Sequence, residues 1–588
     1  MKLIQNVEPF SRQAAIQPMG EEILTMNRHS KKEAKMTYSI IDGLPSTSGD
    51  NYQLNTSTII KYAARTFPEV EVISRQIDGK LFRYNYREAH ERIKKLANAL
   101  IRLGVKPGDR IGVMEWNTHH HFELYFAISG IGAVLLQLNL RLSPVDLAYV
   151  INHSEAKFVF VGDSLLPLME SISDKIPTVK GFVVITEKKL DEIKTNLHPV
   201  LSYERILEKE DAEFEWPMVN EKSAYSACYT SGTTGKPKGV YYSHRNIYLH
   251  TMMMVMSQRL CLKDTIMQIV PMFHGQGWGV WLSAPMVGAK LVFPGRYTME
   301  TTDILVDLMI SEKVTFSGGA PAIFLPMLDY IRTLPKKPDF TGLRMVSGAT
   351  EPPLSMMRGY WELGKAEIVH AYGATETTPL VLVNFFKPTI KGWSMEEQWN
   401  NQKKQGLLVP GLDLKIVGPD GNQVPADGKT VGELLVRGPW ITTSYYNDPR
   451  TEECFEDGFW KSGDAGTIDK YGYVKITDRI KDVIKSGGEW ISSIDLENAI
   501  MGHVDVKEAC VVGLAHPKWQ ERPVAFVVLR ENAEGKISKQ DILDSIGEQF
   551  AKWQLPDEVV FVKQLPKTSV GKLDKKTLRS QHTDFFIN

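Results

Sequence analysis

Apolar residues recur three and four apart through Ala89-His90-Glu91-Arg92-Ile93-Lys94-Lys95-Leu96-Ala97-Asn98-Ala99-Leu100, the spacing that lines one face of a helix. The stretch Ile59 to Leu103 accordingly reads as helical with strong punctuation, and Gly104 ends it. Shorter apolar runs, Arg110 to Met114, Phe158 to Val161, Leu291 to Phe293, Arg344 to Ser347 and Ile368 to His370, have the length and composition of buried strands. Helical patterns lie between them. That alternation predicts an α/β architecture of sheets covered by helices. From Asp413 the texture changes: Leu414 to Val417, Gly432 to Val436 and Tyr473 to Ile476 are strand-like and separated by turns such as Pro419-Asp420-Gly421, which predicts a small β-rich lobe. Beyond the charged run Asp478-Arg479-Ile480-Lys481-Asp482 the chain reads α+β, so a domain boundary falls there.

At 588 residues the chain exceeds one simple core and calls for several compact lobes. Its 69 basic residues face 70 acidic ones, which excludes the basic excess expected of a nucleic-acid binder. Cys228, Cys261, Cys454 and Cys510 are scattered without a C-x2-C pair, so neither a disulfide framework nor a thiolate zinc site is suggested and a reducing, cytoplasmic setting fits. The N-terminal residues never develop the apolar core of a secretory signal. The longest apolar stretch, about Leu124 to Leu136, is broken by Ser129, Gly130 and Gly132 and is too short to span a bilayer.

The most chemically suggestive segment is Tyr229-Thr230-Ser231-Gly232-Thr233-Thr234-Gly235-Lys236-Pro237-Lys238-Gly239-Val240. Glycines let backbone N–H groups converge on an anion, hydroxyls add donors and lysines add charge, so the run suits a polyphosphate. It is not a Walker A loop, because Pro237 stands where that motif needs a hydroxyl for magnesium. Two other patterns carry less. His119-His120-His121 cannot converge on one ion from a helix, where successive residues point about 100° apart, and reads as surface or core packing. Gly275-Gln276-Gly277-Trp278-Gly279 lacks the third glycine and the downstream acid of a dinucleotide fingerprint.

Further along lie Pro271-Met272-Phe273-His274-Gly275, Ala371-Tyr372-Gly373-Ala374-Thr375-Glu376-Thr377, Lys461-Ser462-Gly463-Asp464, Asp478-Arg479 and Pro566-Lys567-Thr568-Ser569-Val570-Gly571-Lys572. With the hydroxyl-rich loop, and in this order, they resemble the AMP-forming, adenylate-forming superfamily of acyl-CoA synthetases, luciferases and peptide-synthetase adenylation domains. The resemblance runs from about residue 37 to the end. The stretch Asp478 to Ser493 and Pro517-Lys518-Trp519-Gln520-Glu521-Arg522-Pro523 look most like medium- and long-chain fatty acid–CoA ligases.

The resemblance implies an N-terminal extension (1–36), a large domain (37–477, its β-rich lobe at about 412–477), a hinge (478–482) and a small mobile C-terminal α+β domain (483–588). It implies ATP, Mg2+ and coenzyme A acting on a small-molecule carboxylate: the acid attacks the α-phosphorus, and a thiol then displaces AMP. Thr230, Ser231, Gly232, Thr233, Thr234, Gly235, Lys236 and Lys238 would close on the β- and γ-phosphates, with Thr230 and Glu376 as magnesium ligands, hard oxygens for a hard cation. Thr375 would reach the AMP phosphate, Tyr372 would pack on adenine beside Gly348, His370, Ala371 and Gly373, and Asp464 would accept from the ribose diol with Arg479 nearby. Lys572 would bridge carboxylate and phosphate in the adenylation transition state. Lys481 is the hinge candidate. Lys485, Gly487, Glu489 and Trp490 would approach the acyl site for the second half-reaction and form the pantetheine passage. His274 joins Lys572, Glu376 and Thr375 among the catalytic candidates and Gly275 joins the cofactor-binding ones, and Trp278, in the helix-like stretch after His274, matches a position that gates the fatty-acid tunnel. Gly275, Gly277, Gly279, Gly318 and Gly319 would widen that tunnel, whereas Trp278 and Trp281 would shorten it. Val346-Ser347-Gly348-Ala349 replaces the Gly-Gly-Ser common in those ligases, so the acyl wall differs. A homodimer and peripheral membrane contact are left open, as is the choice among fatty, short, thioether-bearing or aryl acids and between free CoA and a carrier protein as acceptor.

Overall fold

The computed structural model describes residues 40–586 apart from 50, 231–235, 419, 487–488, 531–532, 534 and 568–572, with backbone alone at 190, 489 and 490. Among the described residues the strands form four sheets. In the largest, Glu71–Arg75, Lys290–Phe293, Thr265–Met267, Phe316–Gly319, Arg344–Ser347 and Glu367–Gly373 run parallel. Antiparallel strands close both edges, Leu81–Asn85 on one and Leu380–Val383 with Leu407–Leu408 on the other. The second sheet runs parallel from Val200–Ser202 through Gly181–Ile185, Phe158–Gly162, Arg110–Met114 and Val134–Gln137 to Ala224–Thr230. Lys238–Ser243 is its antiparallel edge. Val134–Gln137 and Gly181–Ile185 are buried along their whole length; helices cover both faces of such sheets, which is why the strands are continuous apolar runs rather than alternating ones.

The expected helical stretch Ile59 to Leu103 is corrected by the structure. It contains a helix (Ser57–Thr66), a hairpin (Glu71–Arg75 and Leu81–Asn85) and a second helix (Tyr86–Arg102). Val72 and Ile73 pair in parallel with Leu291 and Val292, partners over two hundred residues away that no local periodicity reveals. The second helix starts where its capping chemistry dictates: the Asn85 side chain accepts from Glu88 N and Glu88 reaches back to Asn85 N.

His119–Gly130 forms a helix buried on every side. His119 stacks on Phe82 at 4.2 Å and lies against the His120 ring at 3.8 Å, His121 stacks on Tyr125 at 5.2 Å, and His120 Nε2 lies 3.2 Å from Glu204. They are core packing groups. The same helix carries Glu123, fully buried, which accepts from Arg92 Nε and Tyr203 Oη, both at 2.7 Å.

A small antiparallel lobe follows, built on Asp413–Val417, Gly432–Arg437, Phe459–Ile468 and Val474–Arg479. In the C-terminal unit Val506–His516 pairs antiparallel with Gln520–Leu529, and Glu558–Phe561 adds a parallel strand. Alternate residues serve opposite faces: Ala509 and Val511 pack with Leu496, Ile500 and Ile542, whereas Cys510 and Val512 pack with Leu578. The architecture is thus the expected large α/β domain with a β-rich lobe and a smaller α+β domain. Among the described residues no helix is long and apolar enough to cross a membrane.

Candidate active site

The carboxyl ends of parallel strands form the crevice where an open α/β sheet places its ligands. Phe316–Gly319, Arg344–Ser347 and Glu367–Gly373 end side by side, with Gly319 paired to Ser347 and Ser347 to His370. They deliver Gly318, Gly348, Ala371, Tyr372 and Gly373 to one place. The Trp278 indole covers it: a Cβ on Gly348 would stand 3.0 Å from Trp278 Cη2 and 3.3 Å from the Ala371 carbonyl oxygen, and one on Gly318 3.6 Å from Trp278 Cε3. The missing side chain at Gly348 is what lets the indole lie so close, whereas a Cβ on Gly318 would meet it at ordinary contact distance.

Residues 275–279 are not a right-handed helix, contrary to the helix-like reading. All five have positive φ, from 53° at Gly275 to 72° at Gly279, including Gln276 at 60° and Trp278 at 59°. Three glycines make this left-handed turn accessible, and each non-glycine residue in it costs about 1–2 kcal/mol. Buried hydrogen bonds hold it, Gln276 Nε2 to Ser226 Oγ at 2.7 Å, Trp281 Nε1 to the Gln276 carbonyl at 3.1 Å and Gln268 Nε2 to the Gly277 carbonyl at 3.0 Å. Gly277, Gly279 and Gly319 do not widen a tunnel as expected. The space beside Gly277 is taken by Gln268 and Trp281, that beside Gly279 by His250 and that beside Gly319 by Phe324. Trp281, 1% exposed, packs on Phe122, Tyr125 and Phe126, so it belongs to the core and leaves Trp278 as the wall.

Three residues drawn from three distant motifs converge. Tyr372 Oη donates to Asp464, whose Oδ1 accepts from Arg479 Nε at 2.8 Å. Asp464 and Arg479 face each other across paired strands. Burial, and then the Asp464 carboxylate beside it, push the Tyr372 phenol far above its ordinary range, so Tyr372 remains a donor. The His370 imidazole instead turns away, its Nδ1 lying 2.6 Å from the Lys403 carbonyl, and burial lowers its pKa to about 4.

The turn Thr375–Thr377 packs against Ala224–Thr230, and Tyr242 Oη donates to the Thr375 carbonyl at 2.8 Å. Glu376 Oε1 accepts from Tyr445 Oη at 2.7 Å. The Thr230 hydroxyl is buried with no hydrogen-bond partner among the described residues. Such an orphan is expensive unless a ligand satisfies it, and a hydroxyl with a carboxylate across the same crevice is a donor set that fits magnesium. Lys238 Nζ stands 4.0 Å over the Tyr445 ring and 3.9 Å from Cys454 Sγ, and Lys236 Nζ 4.9 Å over Tyr149. Burial pushes the Cys228 thiol up to about 12, so it is an inert packing group.

His274 is exposed at the mouth of the left-handed turn, and Lys481 and Lys485 are exposed on the far side of the lobe boundary. The lobe boundary is closed by Asp478 Oδ2, which accepts from Ser493 N at 2.7 Å and Ser493 Oγ at 2.5 Å, and by Lys475 on Asp495 at 2.6 Å. Ser231 to Gly235, Gly487 and Lys572 lie outside the described residues, as do the side chains of Glu489 and Trp490.

Sequence reasoning missed the segment Thr442 to Arg450, which ties Glu376 to Lys236 and Gly239. Thr442 N donates to the Glu376 carbonyl at 2.8 Å, Tyr446 N to the Gly239 carbonyl at 2.9 Å, and Arg450 Nη2 to the Lys236 carbonyl at 3.0 Å. In the sequence it is a polar connection without periodicity, and its two adjacent tyrosines are the one signal it offers.

The chain was also compared with known proteins. Residues 60–446 match the AMP-binding enzyme family and residues 495–572 the AMP-binding enzyme C-terminal domain. A long-chain-fatty-acid–CoA ligase of Thermus thermophilus is 42% identical over 93% of this chain and 98% of its own length. A 3-methylmercaptopropionyl-CoA ligase of Ruegeria lacuscaerulensis is 38% identical over 90% of this chain and 97% of its own. Among solved structures, an anthranilate CoA ligase in complex with anthranoyl-AMP superposes with a TM-score of 0.78 at 24% identity, covering 90% of this chain and 97% of that one, a likeness of fold.

Proposed function

The chain belongs to the AMP-binding enzyme family, and on that premise we propose that it is an acyl-CoA ligase that couples a medium- or long-chain fatty acid to coenzyme A. The acid is first adenylated by ATP with release of pyrophosphate, and the CoA thiol then displaces AMP. The observation that carries this reading is the 42% identity to a long-chain ligase across nearly the full length of both chains.

No enzyme nucleophile is needed, so catalysis consists of positioning and of stabilising charge around phosphorus. Asp464 and Tyr372 receive the nucleoside, with Arg479 steadying the carboxylate. Lys236, Lys238 and the segment Ser231 to Gly235 hold the β- and γ-phosphates, and Thr375 the α-phosphate. Thr230 and Glu376 would hold magnesium, which when bound neutralises phosphate charge. Lys572 bridges the acyl carboxylate and the phosphate. His274, Gly275, Gly348 and Trp278 bound the acyl side. We place the hinge at 478–482, with Lys481 within it, between a large domain (37–477) and a small one (483–588) that brings Lys485, Gly487, Glu489 and Trp490 round for thioester formation. The four cysteines are free thiols, which fits a cytoplasmic enzyme.

The relative that acts on 3-methylmercaptopropionate favours one second reading, the same chemistry on a short thioether acid. A panel measuring CoA-dependent AMP release is expected to give the highest kcat/KM between octanoate and palmitate. Activity confined to butyrate and 3-methylmercaptopropionate would replace the fatty-acid reading with the thioether one.

Gly348→Val is expected to lower kcat/KM for the preferred acid about tenfold, because its methyl groups meet Trp278 and the Ala371 carbonyl and overpack the acyl wall. Steady-state kinetics with acid and ATP varied separately would locate the effect, and a loss confined to the ATP dependence would remove Gly348 from the acyl wall.

A further inference from the structure

We propose that Tyr445 is a positioning residue for adenylation: its hydroxyl orients the Glu376 carboxylate as a cation ligand while its ring carries Lys238, so that one side chain sets the separation of metal ligand and phosphate lysine. The inference rests on the acyl-CoA ligase reading above.

Glu376 and Lys238 come from different sheets. Glu376 follows the strand Glu367–Gly373 of the nine-stranded sheet, and Lys238 opens the edge strand of the seven-stranded one. Neither sheet alone fixes their distance. Tyr445 arrives from a third element, the β-rich lobe, and touches both, with its hydroxyl 2.7 Å from Glu376 Oε1 and its ring 4.0 Å below Lys238 Nζ. It is only 4% exposed, and its own backbone is tied, Tyr445 N donating to Thr451 Oγ1 at 3.1 Å. The flanking residues repeat the two-sided attachment. Thr442 N bonds the Glu376 carbonyl, while Tyr446 N bonds the Gly239 carbonyl and the Tyr446 ring stacks on Tyr241 at 4.4 Å. Arg450, clamped by Asp448 with Nε 2.8 Å from Oδ1, reaches the Lys236 carbonyl.

The chemistry of the contact is specific. A lysine or arginine in place of the phenol would orient Glu376 equally well but would cancel its charge and repel a cation. A neutral donor takes one carboxylate oxygen, keeps the charge, and leaves the other oxygen to the metal, as partners behind a metal-binding carboxylate generally do. The ring face adds electrostatic attraction for the lysine ammonium without consuming a hydrogen-bond donor that a phosphate needs. An apolar residue of the same size would fill the space and do neither.

Tyr445→Phe keeps the ring and the packing and deletes the hydroxyl with its bond to Glu376; Tyr445→Leu also deletes the ring. Calorimetric titration of the full-length protein with ATP, once with excess Mg2+ and once with EDTA, separates the two roles. Tyr445→Phe is expected to bind MgATP about tenfold more weakly while metal-free ATP binding stays within about twofold of wild type, a hydrogen bond to a charged group being worth at least about tenfold. Half-saturating Mg2+ in pyrophosphate exchange is expected to rise by a similar factor. Tyr445→Leu is expected to weaken metal-free ATP as well, because Lys238 loses its platform. Equal binding of both forms by wild type and Tyr445→Phe, or an equal weakening of both forms, would overturn the role and leave Tyr445 a packing residue. Wild-type protein that binds neither form would overturn the ligase reading itself, and the role with it.

Discussion

Replacing Lys572 with alanine is expected to slow adenylation by about a hundredfold to a thousandfold, about 3–4 kcal/mol of barrier, while thioester formation from supplied acyl-adenylate continues at the wild-type rate. The asymmetry follows from where charge develops. In the first half-reaction a carboxylate approaches an already anionic phosphate, and an ammonium between them offsets the repulsion that grows toward the transition state. In the second a thiol attacks the acyl carbon and loses its proton while the C–O bond to AMP breaks and its electron pair leaves with the phosphate oxygen; no carboxylate approaches an anionic phosphate there, so the repulsion that this ammonium offsets is absent. Pyrophosphate exchange reports the first step and CoA-dependent consumption of synthetic acyl-adenylate the second. Equal loss in both would count against the assigned role and point to a structural one. Lys572 lies outside the described residues, so its role is carried by the motif Pro566 to Lys572 and by the family.

Arg92→Leu is expected to destabilise the large domain by about 3–5 kcal/mol, because it strands a buried charge. Glu123 is fully buried and accepts from Arg92 Nε and Tyr203 Oη, each at 2.7 Å. The same guanidinium reaches Glu204 through Nη1 at 3.0 Å and Nη2 at 2.8 Å. Removing it leaves the Glu123 carboxylate with a single neutral donor in a medium that solvates it poorly. The penalty is one of uncompensated charge rather than lost volume, so adding Glu123→Gln is expected to return part of it. Scanning calorimetry of the three variants checks this, and a double variant less stable than Arg92→Leu alone would reverse the interpretation. Burial by itself would raise the Glu204 carboxyl, yet hydrogen bonds from His120 and Arg92 hold it down to about 2. Its folded pKa lies below the ordinary value of 4.5, so its contribution is complete above that value and fades as pH falls toward 2.

The helix Tyr86–Arg102 was legible in the sequence because its apolar spacing and its Asn85–Glu88 cap are local properties. The hairpin before it was not, because Val72 and Ile73 are held as strand by residues 291 and 292. Gly275-Gln276-Gly277-Trp278-Gly279 announced backbone freedom, and what it could not announce was the hand of the turn, which depends on Ser226, Gln268 and Trp281 closing around it. The individual motifs named Tyr372, Asp464 and Arg479 separately; their direct contact is a property of three strands from two sheets. Tyr445 is the extreme case. Its neighbours along the chain are ordinary loop residues, and its significance lies entirely in Glu376 and Lys238, which approach it from elsewhere.

Two kinds of information are thus separable in this protein. The residue types that phosphoryl chemistry demands, the alternation that makes an α/β fold, and the change to a β-rich lobe after Asp413 are written in consecutive positions, and the sequence by itself determined them. Which glycines have their space filled by core side chains, that the His370 imidazole faces a carbonyl, and which loop joins Glu376 to Lys238 were decided only in the tertiary structure. The reason is physical: each of these depends on the free energy of groups far apart in sequence meeting at contact distance, and that energy has no counterpart in the local pattern of any one segment.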